Sequence, residues 1–154
     1  MADDAVTLIK NDHRAMERLF ERLKSGDGDR RALVAEVAAM MNAHSRAEEE
    51  QVYPAIAKAD PEEAEEVEHA YEEHEEAEDL LHRLQLADPN RPEFERALVE
   101  FVDAVTHHVE DEERAVLPAL EQAVDRQTLE RLGADFMRVR RVELAKAGFG
   151  DDRA

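Results

Sequence analysis

The chain has 154 residues, a formal net charge of −19, and no cysteine or tryptophan. That length suits one domain with a sizeable core, and the lack of cysteine excludes disulfides, zinc ribbons, iron–sulfur clusters and thiol chemistry within these residues. So acidic a surface argues against nucleic acid and anionic membranes as partners, because their phosphates need Lys and Arg, and it suits attraction of cations.

Alanine, glutamate, leucine, arginine and valine dominate, which is a helical composition. The opening Met1-Ala2-Asp3-Asp4 is acidic and no long apolar run follows. The expectation is therefore no signal peptide, no transmembrane helix and a cytoplasmic protein. A first helix is predicted from about Asp4 to Lys24, with Asp3 or Asp4 as its cap. Its stripe is Ile9, His13, Met16, Phe20 and Leu23, at 4, 3, 4 and 3 spacing. Ser25-Gly26-Asp27-Gly28 reads as a turn. A second helix is predicted from about Asp29 to Lys58, with Leu33, Val37, Met40, His44, Glu48, Val52 and Ala55 on one face. Pro54 removes a backbone N–H near its end and predicts a kink or break. Asp60-Pro61 then reads as cap and first residue of a third helix reaching about Leu86. Its stripe takes in Val67, Ala70 or Tyr71, His74, Glu78 and Leu81.

The clearest loop is Asp88-Pro89-Asn90-Arg91-Pro92. A fourth helix follows from Pro92 to about Val124, its stripe carrying Phe94, Phe101, Val105, His108, Glu112 and Val116, with Pro118 placed as Pro54 is in the second. A last helix, about Asp125 to Ala147, carries Leu129, Leu132, Phe136 and Val139, reads as packing, and stops at Gly148. The residues after it are expected to fray. The prediction is all-α: an up-down-up-down antiparallel four-helix bundle with an additional C-terminal helix. It is a single domain over 1–154, with the bundle at about 5–120 and the extra helix at about 125–147.

The chain repeats internally. His44, Glu48 and Pro54 recur as His108, Glu112 and Pro118, each 64 residues on. Residues four apart on a helix lie one turn above each other, so each copy aims an imidazole and a carboxylate at one point. His13 precedes the first pair by 31 residues and His74 the second by 34. A lone histidine on an apolar stripe is commonly a hydrogen-bonded core residue. Matched spacing in two repeats is not explained that way. Three buried His–Glu pairs fail on count, since four His face two Glu.

A polar group on a buried stripe costs several kcal/mol unless paired or bound to metal, so about 2–7 kcal/mol for each neutral group is at stake. His13, His44, Glu48, His74, His108 and Glu112 are therefore the candidate metal ligands. With two His for each metal and both Glu bridging, each metal has four protein bonds. A bridging oxide or hydroxide makes five, and an octahedral ion keeps one open position. Mixed imidazole and carboxylate donors suit iron or manganese; zinc is more often closed and four-coordinate. Glu78 and Glu17 follow His74 and His13 by four residues. Either could add a ligand, orient a histidine or share a proton. Tyr53 lies about 140° round the helix from Glu48. It is read as a packed tyrosine with a free hydroxyl, with a phenolate ligand as the alternative if Pro54 distorts the turn. His69, His82 and His107 are left to the surface or to residues behind the ligands.

These residues resemble the hemerythrin-like family, the HHE cation-binding domain. The resemblance rests on Asp12-His13, His44 to Glu48 with Tyr53-Pro54, Glu73-His74, and His108 to Glu112 with Leu117-Pro118. It implies a four-helix bundle with a non-haem di-iron centre. It also implies chemistry with dioxygen, peroxide or nitric oxide, or iron-linked sensing. The oxygen-carrying members have a fifth histidine where this chain has Glu78. They close the site with an aspartate five residues after the last histidine, whereas Glu112 follows by four. A more carboxylate-rich site favours oxidation over reversible oxygen carriage.

Two classes of function follow. One is a redox enzyme that disproportionates hydrogen peroxide or detoxifies nitric oxide or peroxide, using two non-haem irons with a bridging oxide or hydroxide. The other is a non-enzymatic module that binds or senses dioxygen or iron, signalling through a partner protein. Ferritin-like oxidases need Glu-x-x-His on two helices, and only Glu66 to His69 offers it.

Overall fold

The structure is a computed structural model and describes residues 3–26 and 28–150. Asp27 of the predicted first turn and the expected frayed residues 151–154 lie outside the described residues. Among the described residues seven α-helical segments follow one another: α1 (Ala5–Ser25), α2 (Arg30–Ala47), α3 (Tyr53–Ala59), α4 (Ala64–Leu86), α5 (Pro92–Asp111), α6 (Leu117–Ala123) and α7 (Arg126–Lys146). A 3₁₀ turn at Pro61–Glu63 leads into α4. No strand is present among the described residues, and none of their helices is long and apolar enough to cross a membrane.

Helix starts are fixed by aspartates. Asp4 accepts from the Thr7 N–H at 2.8 Å, Asp29 from the N–H groups of Arg31 and Ala32, and Asp125 from Thr128 at 2.8 Å. Each such cap stabilises a helix by about 1 kcal/mol. At the far end Gly148, at φ 86°, lets the Phe149 N–H reach back to the Leu144 carbonyl at 2.9 Å. That is a left-handed stop that residues with a Cβ adopt poorly.

The expected break at Pro54 takes a specific form. α2 runs into α3 without interruption through a π-helical turn at Glu48–Val52, and α5 runs into α6 through another at Glu112–Val116. The Tyr53 N–H donates to the Glu48 carbonyl and the Leu117 N–H to the Glu112 carbonyl, five residues back. Pro54 and Pro118 follow directly and have no N–H to donate, so the ordinary ladder cannot resume one residue earlier. The carbonyl of Glu49 is taken instead by the Tyr71 hydroxyl at 3.0 Å. Each proline thus widens the helix by one residue instead of breaking it.

α1, α2, α4 and α5 close a four-helix ring, α1 against α2, α2 against α4, α4 against α5 and α5 against α1. The apolar core divides in two. One cluster joins Met16, Phe20 and Leu23 to Leu33, Val37, Leu81, Phe94 and Phe101. The other joins Ile9, Val52, Tyr53 and Ile56 to Val67, Leu117, Leu120 and Phe136. On α1, His13 lies between Ile9 of one cluster and Met16 of the other, so the polar layer of the bundle sits between two apolar plugs.

α7 lies along α2 and α1. Its Leu129, Leu132, Phe136 and Val139 are buried as the stripe predicts. Gly133 allows close approach to the start of α1: a Cβ there would sit 2.7 Å from the Asp3 carbonyl oxygen and 3.0 Å from the Ala5 nitrogen. Overpacking against backbone costs about 1–3 kcal/mol, against about 1 kcal/mol gained in helix propensity. Gly133→Ala is therefore expected to lower the melting temperature by a few degrees. An unchanged or higher value in a thermal melt would show that the start of α1 is not held against α7.

Candidate metal centre

The six residues that the repeat singled out converge in the polar layer, each at most 9% exposed. They form two groups: His13, His44, Glu48 and Glu112, and Glu48, His74, His108 and Glu112, with the donor atoms of each group within 4.8 Å of one another. Both carboxylates belong to both groups. Glu48 Oε1 is 3.2 Å from Nε2 of His44 and 3.2 Å from Nε2 of His74. Glu112 faces one half with each oxygen, Oε1 at 3.1 Å from His13 Nε2 and Oε2 at 3.5 Å from His108 Nε2.

The π turns begin at these carboxylates, and the first decides the place of Tyr53. In a regular helix Tyr53 would lie about 140° from Glu48; the wider turn brings its ring back over the site. Its hydroxyl donates to Glu112, lies 3.2 Å from Glu48 Oε1 and is 3.1 Å from His74 Nε2. Tyr53 is fully buried. The expectation of a free hydroxyl is corrected: the phenol touches three of the six candidate ligands, all in the second group. Burial, with the charges of Glu112 and Glu48, pushes its pKa well above that of an ordinary phenol.

Each histidine is oriented from behind by a carboxylate on a neighbouring stretch of helix. His44 Nδ1 donates to Asp12 at 2.9 Å, His74 Nδ1 to Glu49 at 2.7 Å, His108 Nδ1 to Glu73 at 2.7 Å and His13 Nδ1 to Glu113 at 2.7 Å. The pairs form a closed cycle, from α1 to α2, from the turn after α2 to α4, from α4 to α5, and from the turn after α5 back to α1. Such partners fix the ring and its tautomer, leaving the Nε2 lone pair for an ion. Sequence reasoning named Asp12 and Glu73 only as parts of motifs, passed over Glu49 and Glu113, and gave none of the four this role. Their signal was adjacency: Asp12 precedes His13, Glu49 follows Glu48, Glu73 precedes His74 and Glu113 follows Glu112. A residue next to a ligand points about 100° away, at the neighbouring helix.

Glu78 and Glu17 are not in the centre. On α4 the buried stripe passes from His74 to Ala77 and Leu81, three residues on and then four, which leaves Glu78 exposed to one side. On α1 it passes from His13 to Met16, and Glu17 pairs with Arg14 at 3.1 Å. His69 and His107 are more than half exposed and face Glu73 and Asp111 on the surface. His82 is exposed. Glu66 is also exposed, so no ferritin-like pair with His69 enters the core.

The atoms aimed inward are short of partners. Nε2 of His13 and His44, Oε2 of Glu48 and Oε1 of Glu112 are buried without a hydrogen bond. Nε2 of His74 faces Nε2 of His108 at 3.1 Å, and with each Nδ1 proton given to a carboxylate two lone pairs confront each other unless a cation or proton lies between. Two donors bound at right angles about 2.1 Å from one ion sit about 3.0 Å apart. Most of the contacts above are close to that edge length. The donor set therefore fits metal ions.

Without metal, protons stand in. Burial alone would depress His108, yet Glu112 and Glu73 outweigh it and raise its pKa to about 10. Burial is likewise outweighed at His44 by Glu48 and Asp12, which hold it well above the ordinary value, and at His74 by Glu48 and Glu49. A histidine pKa raised by folding gives stability that is complete below the unfolded value of about 6.5. That contribution is lost as pH rises through the folded value, about 10 for His108. Thermal melts of chelator-stripped protein should accordingly show stability falling from pH 7 to pH 10. A flat profile would mean that these imidazoles are not held protonated.

The profile of the hemerythrin HHE cation-binding domain matches residues 4–120. None of the curated proteins gives a significant match. Among solved structures, a hemerythrin HHE cation-binding-domain-containing protein from Mycobacterium kansasii superimposes with a TM-score of 0.84 at 23% identity, covering 96% of this chain and 91% of that one. The four-helix ring and the buried His/Glu layer thus come with a profile match over most of the sequence: the chain belongs to the hemerythrin HHE cation-binding domain family.

Proposed function

We propose that the layer holds two iron ions with a bridging oxide or hydroxide, and that the protein disproportionates hydrogen peroxide, with dioxygen or nitric oxide as other small reactants. The observation that carries this reading is the sharing of Glu48 and Glu112 between two groups that each add two histidines. Imidazole and carboxylate in equal number suit iron or manganese better than zinc or copper. When bound, the two irons supply a two-electron redox couple.

The residues of the chain do the rest. His13 and His44 would hold one ion, His74 and His108 the other, and Glu48 and Glu112 would span both. A cavity of about 10 Å³ touches all four histidines and is walled by Met16, Met41, Ala77, Val105 and Val109. That is room for about one water-sized molecule, which suits peroxide or a diatomic gas and excludes organic substrates. A groove between α2 and α4 shares Met41, Ser45, His74 and Ala77 with this cavity and opens at Asn42 and Glu78. Tyr53 keeps its proton on the phenol oxygen and presents it as a hydrogen-bond donor to Glu112. Disproportionation converts two peroxides to two waters and one dioxygen, so no electron donor is needed from outside.

His74→Ala removes a nitrogen donor and the partner of Tyr53 and Glu49. It should abolish both stable iron binding, by metal analysis, and peroxide loss, by oxygen evolution. Peroxide turnover persisting in that variant would sink the reading.

A second reading, iron or dioxygen sensing, is favoured by the four buried atoms that lack a hydrogen bond, because ion binding there becomes folding free energy. At a hundredfold excess over its dissociation constant a ligand adds about 2.7 kcal/mol, which is about 5–10 °C in melting temperature for a domain of this size. Melts with and without ferrous iron under argon test this. Coincident curves would remove the switch.

A further inference from the structure

The four carboxylates behind the histidines are not alike. Asp12 is gripped by Arg140 of α7, with Nε at 2.9 and 3.1 Å from its two oxygens and Nη2 at 2.9 Å from Oδ1. Glu113 meets Arg14 Nη2 at 2.6 Å. Both stand behind His44 and His13, the first group. Behind the second group, Glu49 and Glu73 have no arginine in hydrogen-bond or ion-pair contact among the described residues; Glu73 faces only His69 and His107 besides His108. α7 also sets the Phe136 ring edge-on to His44, with centroids 5.5 Å apart at 84°. Among the described residues no helix takes the corresponding place against α4 and α5. The helix lies outside the residues matched by the family profile, and its stripe reads as packing alone.

We propose that α7 is a working part of the metal centre: Arg140 is a positioning residue that fixes Asp12, and through Asp12 the ring of His44, so that the ion held by His13 and His44 is controlled separately from the ion held by His74 and His108. This rests on the two-ion reading above. The physical case is simple. Asp12 is 6% exposed, and a buried carboxylate keeps its charge and orientation only with its partners in place. The two-pronged guanidinium fixes both oxygens at once, which a point charge cannot do. Without it Asp12 is free to turn, and the His44 ring loses its anchor. Loss of a residue behind a metal ligand costs about 10–100-fold in metal affinity.

The test is cobalt(II) titration of the stripped full-length protein under argon against a competing chelator, which yields two binding constants. Arg140→Gln should weaken one of them by about 10–100-fold and the other, which is tied to it only through Glu48 and Glu112, by at least several-fold less. Arg140→Lys should recover part of the loss. Glu73→Gln, behind His108, should weaken the other constant, so that the double variant loses both. In proton spectra of the cobalt form, the shifted ring N–H signal of His44 should move or vanish in Arg140→Gln while those of His74 and His108 stay. Circular dichroism establishes that each variant is folded. Should Arg140→Gln weaken both constants equally, weaken neither, tighten one, or hit hardest the same one as Glu73→Gln, the assignment is overturned. Wild-type protein that takes up fewer than two cobalt ions overturns the two-ion reading and this assignment together.

Discussion

Six ionisable side chains are taken out of water in a single layer, and the rest of the bundle is arranged around that fact. Isolated buried charges cost several kcal/mol each even after relaxation, so the layer persists only because every group has an opposite one. The imidazoles lean on carboxylates behind them, and the two central carboxylates lean on the imidazoles. Glu112 shows the balance: burial opposes its charge, yet His108 and His13 hold it well below the ordinary carboxylate range. The apolar clusters above and below shut out water, which strengthens each of these attractions. Ions entering the layer would displace protons, so occupancy and pH are linked through the same atoms.

The closed cycle of pairs also ties the four helices together. Each helix pair shares one carboxylate–imidazole bond at the level of the layer, so sliding one helix by a turn would break two bonds at once. Apolar packing alone tolerates many substitutions and registers; directional bonds between buried polar groups select one. The π turns belong to this arrangement. They let Glu48 and Glu112 face inward and then return the chain to α-helical form with its apolar side still turned to the core.

Much of this was legible in the sequence. The 64-residue offset of His44, Glu48 and Pro54 pointed to four of the central residues and the apolar stripes to His13 and His74, and the aspartate caps, prolines and glycines located the helices to within a residue or two. What escaped lies in directions a single stripe does not encode. Periodicity says which side of a helix is buried, and it does not say which neighbour lies at 100° from that side. Asp12, Glu49, Glu73 and Glu113 act there. Glu17 and Glu78 had the right spacing from a histidine, but a stripe stepping three and four alternately passed them by. Tyr53 depended on a turn one residue wider than normal. Arg140 sits 128 residues from its partner, on a helix whose buried face is wholly apolar.

The repeat that builds the centre is not chemically even. Sixty-four residues after Tyr53 stands Leu117, at the same step after the second π turn and as deeply buried. One flank of the layer therefore carries an O–H group and the other a hydrocarbon branch. The hydroxyl stands as a fixed hydrogen-bond donor on the flank of His74 and His108, and a leucine branch offers none. A centre with near two-fold geometry is in this way given a front and a back, distinguished by a phenol hydroxyl on one side only.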